Sequence, residues 1–288
     1  MHNQDLKKGV GFVLLAWFFS AGIYLLAKLL ADQTSVSVML FSRALVATLV
    51  ILPWMVGHGK KSFRIASWGW TVGYSICITF LLAFTFLAVK TLSLVNTTLL
   101  INSAPFFVPF FGYLLFKKPI VHRLWPAIIL GFIGVGIVLQ PNKDLIHLGS
   151  AFALGAGICS ALGSICLREL KGKVDSYAVA FYSCFLGVLL TAPFAIYNWQ
   201  IVSSSAFVPL AVMGILAALA QWTWSRAFHY AEASYLAPFG YSGVIFSGIF
   251  DWIFFDMIPG WFVLLGTVFI ILSGIWILRT KPATAQEK

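Results

Sequence analysis

Residues Phe41 to Pro53 read FSRALVATLVILP, and 140 residues further on Phe181 to Pro193 read FYSCFLGVLLTAP. The same shift lays Gly9, Phe12, Ala16, Ser20, Ala21 and Lys28 on Gly149, Phe152, Ala156, Ser160, Ala161 and Arg168. It also lays Pro119 on Pro259 and Gly134 on Gly274. Hydrophobic stretches match one another easily. A single offset that aligns prolines and polar positions in separate stretches instead marks an internal repeat, with halves at 1–141 and 142–288.

Each repeated stretch belongs to an apolar run of roughly 20 residues, the length an α-helix needs to cross about 30 Å of hydrocarbon. The whole chain of 288 residues is 60% hydrophobic and only 10% charged. A soluble domain carries about 25% charge to clothe its core, so a water-facing shell cannot be built here. Spans are predicted at 9–31, 35–56, 67–88, 94–116, 122–140, 148–168, 176–197, 206–227, 234–255 and 260–279. The first lacks a small-residue cleavage motif and reads as a span rather than a cleaved leader. The fold expected is all-α and integral to the membrane, ten helices arranged as two five-helix repeats.

The net charge of +10 does not point to nucleic acid, because the cations stand in short clusters between apolar runs. With the N-terminus in the cytoplasm, the cytoplasmic segments hold Lys7, Lys8, Lys60, Lys61, Arg64, Lys117, Lys118, Arg123, Arg168, Lys171, Lys173, Arg226, Arg279, Lys281 and Lys288. The opposite side holds only Lys28, Lys90 and Lys143, and Arg43 falls within a span. That is 15 against 3 with one inside, which accounts for the 19 present. The bias places both termini in the cytoplasm of a bacterial inner or plasma membrane. Five spans per half then force the second half in upside down, the inverted repeat of many carriers that bind solute at the midplane.

Three stretches recur in a known pattern: FSRALVATLVILP; NSAPFFVPFFGYLLF at 102–116, followed by Pro119 and LGFIGVGIVL at 130–139; and AFHYAEASYLAPFGYSGVIFSGIFDWIFF at 227–255, followed by Pro259. In these and in its layout the chain resembles the drug/metabolite transporter superfamily, specifically its ten-helix EamA-type exporters. The resemblance implies a transporter of small organic solutes, with an arginine such as Arg43 commonly kept in the second helix. Many such proteins place a Glu, usually after a Gly, where the fourth and ninth helices end. This chain has Phe116-Lys117-Lys118-Pro119 and Phe255-Asp256-Met257-Ile258-Pro259 there instead.

Arg43 lies about 12 Å into its helix, where an ionised group must face protein or a watery cavity and find a partner. Either it meets an anionic group of a solute or a gate, or it is a structural arginine bonded to backbone carbonyls. In the first helix Trp17, Ser20, Ala21, Tyr24 and Lys28 fall on one face. The sixth repeats that face as Gly157, Ser160, Ala161, Ser164 and Arg168. Inside a membrane a polar stripe turns to the bundle interior, although small residues also serve close helix packing. Phe84, Asn102, Phe106, Gln221, Trp224 and Tyr241 complete the candidate solute-binding set and suggest a roomy cavity with aromatic walls.

Asp251 is the coupling candidate, either a proton-carrying carboxylate or a solvated acid near the outer surface. No histidine lies mid-span, which favours facilitated diffusion or exchange over a proton-driven pump. The fourth and ninth spans lack the cations that phosphorylated solutes need. Gly131, Gly134 and Gly136 follow no strand and read as helix packing rather than a nucleotide loop. Cys77, Cys159, Cys166 and Cys184 read as small hydrophobes, and neither metal nor cofactor is expected. The partners expected are a small molecule and the bilayer, without nucleic acid, for a monomer or homodimer. The solute is read as an amino acid, an aromatic or a related amphipathic compound, with S-adenosylmethionine-like uptake or exchange as the alternative. A membrane-embedded lipid-modifying enzyme is the remote one, since the nine acids form no cluster for such chemistry.

Overall fold

A computed structural model describes residues 6–57, 65, 67–117, 125–139, 148–170, 173–199, 204–230 and 236–279. Every regular element among them is helical: α1 (Leu6–Leu29), α2 (Val36–Gly57), α3 (Trp68–Val89), α4 (Leu94–Ile101), α5 (Ala104–Phe116), α6 (Trp125–Leu139), α7 (Leu148–Leu170), α8 (Ser176–Tyr197) and α9 (Ser204–Tyr230). A 3-10 turn (Ala237–Tyr241), α10 (Ser242–Phe255) and α11 (Trp261–Arg279) complete them. Among the described residues seven helices are long and apolar enough to cross a membrane, with 94–116 taken as one, and three shorter apolar helices accompany them. Large apolar side chains crowd the surface, with Phe80, Phe194, Ile245, Trp252 and Ile253 all exposed. A protein dissolved in water does not carry such a surface. Pro119 and many loop cations of the charge argument lie outside the described residues.

Many hydroxyl groups inside the helices are satisfied locally. Along α3 Thr71 donates to the Ser67 carbonyl, Ser75 to Thr71, Thr79 to Ser75 and Thr85 to Leu81, at 2.7–2.9 Å. This four-residue back-bonding meets the demand that a membrane core imposes on every polar group.

The fourth span departs from the single helix expected over 94–116. It breaks at Asn102 and Ser103, because Pro105 opens α5 and lacks the N–H that would continue the ladder. The Ser103 N–H reaches back only to Leu100, at 3.2 Å, and the Ser103 hydroxyl bonds the same carbonyl at 2.6 Å. In the second half the 3-10 turn, with Pro238 in its first positions, gives way to α10 at Ser242. Asn102 and Ser242 are related by the 140-residue shift, so both halves change helical geometry at one position.

Packing follows the repeat. The shift carries α1 onto α7, α2 onto α8, α3 onto α9, α4 and α5 onto the turn and α10, and α6 onto α11. Accordingly α3 packs on α7 as α1 packs on α9, α3 touches α8 as α2 touches α9, and α4 and α5 lie on α7 as α10 lies on α1. Two contacts map onto themselves: α2 with α8 and α6 with α11. A twofold relation between halves generates such a set, and these two pairs stand on its axis.

Glycine sets the closeness of the last pair. A Cβ on Gly266 would lie 2.8 Å from the Gly134 carbonyl oxygen, and one on Gly134 would lie 3.0 Å from that of Gly266. The partner of Gly134 across the axis is thus Gly266, while Gly274 faces the Tyr241 hydroxyl. Gly131 lies against the Phe106 ring. The packing role expected of Gly136 is not found, because that residue faces open space.

Both α5 and α10 end on a non-glycine residue in the left-handed region, Lys117 at φ 52° and Asp256 at φ 50°. The Lys117 N–H closes onto the Tyr113 carbonyl at 2.8 Å. Since Cβ disfavours this conformation, Lys117→Gly is expected to raise stability in detergent by roughly 0.5–1 kcal/mol. A lower melting temperature would contradict that.

Candidate functional site

The α2/α8 pair on the twofold axis is where the second half comes close to Arg43. Gly187 permits the approach, since a Cβ there would already sit 3.5 Å from Thr79 Oγ1 and 3.7 Å from Ala44 Cβ. On the other side Gly214 of α9 lies so near α2 that a Cβ would meet Val46 and stand 3.3 Å from the Arg43 carbonyl. The shift pairs Arg43 with Ser183 and Ala44 with Cys184, and all four residues line one cavity. Leu40 from α2, Ile78, Thr79 and Leu82 from α3, Gly187 and Thr191 from α8, and Gln221 from α9 complete it.

The cavity is about 20 Å³ in this conformation, room for roughly one water. Its hydroxyls donate to their own helices: Thr79 to the Ser75 carbonyl at 2.8 Å, Thr191 to Gly187 at 2.7 Å and Ser183 to Ala180 at 2.8 Å. They therefore offer the cavity acceptor lone pairs. The charged donor is Arg43, whose buried Nε has no partner among the described residues. Tyr24 and Cys184 are its titratable neighbours, and no carboxylate pairs with it among the described residues.

Of the solute-binding residues expected from sequence, this cavity gathers Arg43 and Gln221, with Tyr24 beside the arginine. Trp17 lies elsewhere, against Gly240 and Gly243 and edge-on to Trp224 at 5.9 Å. Its buried indole Nε1 has no partner among the described residues, and the same holds for Asn102 Nδ2 and Ser242 Oγ at the two helix breaks. Phe84 stacks on Phe152 at 6.0 Å, and Phe106 is buried between α5 and α6 beside Phe132. Tyr241 donates to the Ile270 carbonyl at 3.4 Å. Ser20 donates to the Ala16 carbonyl and Ser164 to that of Ser160, each within its own helix.

The roomy aromatic cavity suggested by sequence is thus not what α2, α3, α8 and α9 enclose. Their cavity is small and polar because the aromatic rings pair with one another instead. Thr79, Ser183, Cys184 and Thr191 did not stand out in the sequence. The 140-residue shift carried the signal for Ser183 and Cys184, since it lays them on Arg43 and its neighbour.

Asp251 is not the solvated acid that its distance from the helix end allowed. Its side chain is 1% exposed, accepts from the Val95 N–H at 2.9 Å and pairs with Lys28 at 3.5 Å. One turn away Thr98 and Ser247 share a hydrogen bond of 2.8 Å across the same α4/α10 contact. No cluster of metal-ligating side chains occurs among the described residues.

The family model for EamA-like transporters matches the chain twice, at residues 7–140 and 147–279. The chain belongs to the EamA-like transporter family. As an EamA-type member of the drug/metabolite transporter superfamily it is a membrane transporter protein. It is 24% identical over 282 residues to a riboflavin transporter of Vibrio cholerae, covering 94% of this chain and 95% of that one. It is 22% identical to an S-adenosylmethionine uptake transporter of Rickettsia felis, over 99% of this chain and 98% of the relative. A pseudopaline exporter, CntI of Pseudomonas aeruginosa, is 24% identical over 96% and 98% of the two chains. One crystal structure superposes with a TM-score of 0.66 at 15% identity, covering 96% of this chain and 98% of its own. That likeness concerns the fold alone.

Proposed function

We propose that this EamA-type protein is an alternating-access carrier for a small organic metabolite, with Arg43 anchoring an anionic or strongly polar group of the solute. The observation that carries the reading is a buried arginine without a carboxylate among the described residues, facing acceptor hydroxyls in a cavity on the twofold axis. Burying a cation without a counter-ion is costly, and a solute carboxylate offsets that cost when it arrives. In this reading the two halves, 1–141 and 142–288, each cross the membrane five times with opposite orientation, and both termini are cytoplasmic. Opening the small cavity to one face and then the other moves the solute.

The named relatives carry different solutes, so they favour a small-molecule carrier over any single substrate. An amino acid or related amphipathic compound suits Arg43 through its carboxylate. S-adenosylmethionine is the second reading: it carries a carboxylate too, and a named relative takes it up. Trp17, Ser20, Phe84, Asn102, Phe106, Ser160, Ser164, Trp224 and Tyr241 belong in this proposal to the walls and hinges of the path rather than to the cavity itself.

Thermal-shift screening of metabolites, followed by uptake into liposomes, tests the assignment. Saturable uptake with accelerated counterflow is expected, whereas non-saturable flux would point to a channel. Because Lys28 and Val95 already occupy Asp251, uptake should be equal with and without a pH gradient. A gradient-dependent rate that Asp251→Asn abolishes would restore the proton-coupling role.

A further inference from the structure

None of Lys28, Asp251 and Val95 lines the Arg43 cavity, yet their junction joins three helix ends. Asp251 projects from α10, one turn before that helix finishes. Its Oδ2 accepts the N–H of Val95, in the first turn of α4, where the Ser93 hydroxyl already takes the N–H of Asn96 at 3.1 Å. The carboxylate therefore sits at the positive end of the α4 dipole. Its other oxygen faces Lys28 in the last turn of α1. The Lys28 ammonium rests 4.3 Å from the centre of the Phe255 ring and 3.9 Å from Met257 Sδ. Lys28 is 11% exposed and Asp251 1%, so the pair is nearly closed to solvent.

The other half does not reproduce this junction. The shift lays Lys28 on Arg168, which also lies over a ring, Phe116, at 5.8 Å. It lays Asp251 on Phe111, so no acid stands at the matching position. Arg168 is 55% exposed, and its acidic neighbour among the described residues is Glu169, next to it in the chain, at 3.9 Å. Two ends related by the repeat are thus built differently. One carries a buried charged clamp across α1, α4 and α10, and its counterpart carries an exposed cation.

We propose that Lys28 and Asp251 form the outer latch of the carrier, locking α1 and α10 together while the outer path is shut. This rests on the alternating-access reading and on the orientation given above. When the outer path opens, α1 parts from α10. Asp251 stays on the α4 N-terminus while Lys28 swings into water, as a lysine at a helix end can. Both are positioning residues, acting on which face the cavity meets rather than on the solute.

Access to the cavity from each face tests the latch without any solute. Cys184 lines the cavity, so with Cys77, Cys159 and Cys166 replaced by alanine it reports that access. A membrane-impermeant maleimide is applied to right-side-out or inside-out vesicles. In Asp251→Asn, which keeps an acceptor for Val95, and in Lys28→Gln, labelling from outside is expected to rise about tenfold as the shut state loses its charge pair. Elution as a single species in detergent checks folding. The reversed pair, Lys28→Asp with Asp251→Lys, should regain only part of the protection, because an ammonium would then face the Val95 N–H. Unchanged outer labelling in both single variants, or a rise from the inner face alone, would overturn the latch. Loss of saturable uptake in the parent protein would overturn the carrier reading separately.

Discussion

Arg43→Ala is expected to remove saturable uptake while leaving the protein folded. A hydrogen bond to a charged group contributes about 1.5–3 kcal/mol, so solute handling should fall roughly 10- to 150-fold on this contact alone. The fold should survive because no carboxylate among the described residues depends on Arg43 and the nearby hydroxyls are satisfied by their own helices. Deleting the arginine thus strands no buried charge, unlike the deletion of one member of an ion pair. Arg43→Lys should fall between the two, keeping the charge and losing the planar fork. Uptake equal to that of the parent would sink the anchoring role. A protein that no longer folds would make Arg43 structural.

Gly266→Ala, at the α6/α11 contact, should bring a clear fall in the detergent melting temperature. The new Cβ would stand 2.8 Å from the Gly134 oxygen and 3.2 Å from the Val138 nitrogen. Both are backbone atoms, which cannot swing aside, so the helices must part. Overpacking of this kind costs about 1–3 kcal/mol. Gly136→Ala, on the same α6, is the control. A Cβ on Gly136 would have nothing within 4 Å, so this change should be neutral, or stabilising by roughly 0.5–1 kcal/mol through helix propensity. Equal losses at Gly266 and Gly136 would show that close approach is not what matters.

Much of the architecture was legible because the repeat is written in polar and proline positions that a bilayer makes conspicuous. Arg43 stood out in the sequence for the same reason: a lone cation deep in an apolar run has to be explained. The break at Asn102 was harder to see, because Pro105 and Pro109 are both tolerated within membrane helices and only packing decides which one interrupts the ladder. Apolar periodicity could not say which aromatic rings would pair with each other, so Phe84 and Phe106 read as cavity walls when they pack on Phe152 and Phe132. The Lys28–Asp251 contact joins opposite halves of the chain, and charges so far apart in sequence reveal their pairing only once the helices are placed. Ser183 and Thr191 look like ordinary small residues until α8 is laid against α2.

Arg43 and Ser183 occupy equivalent places on the axis, yet only one is charged. In the alternating-access reading proposed above, the two open forms are therefore not mirror images in energy, even though their helices exchange roles. Half-saturation concentrations measured from the two faces need not agree. For a solute without net charge and without a coupled ion, the maximal rates must then differ in the compensating sense, because flux has to vanish when both sides hold the same concentration.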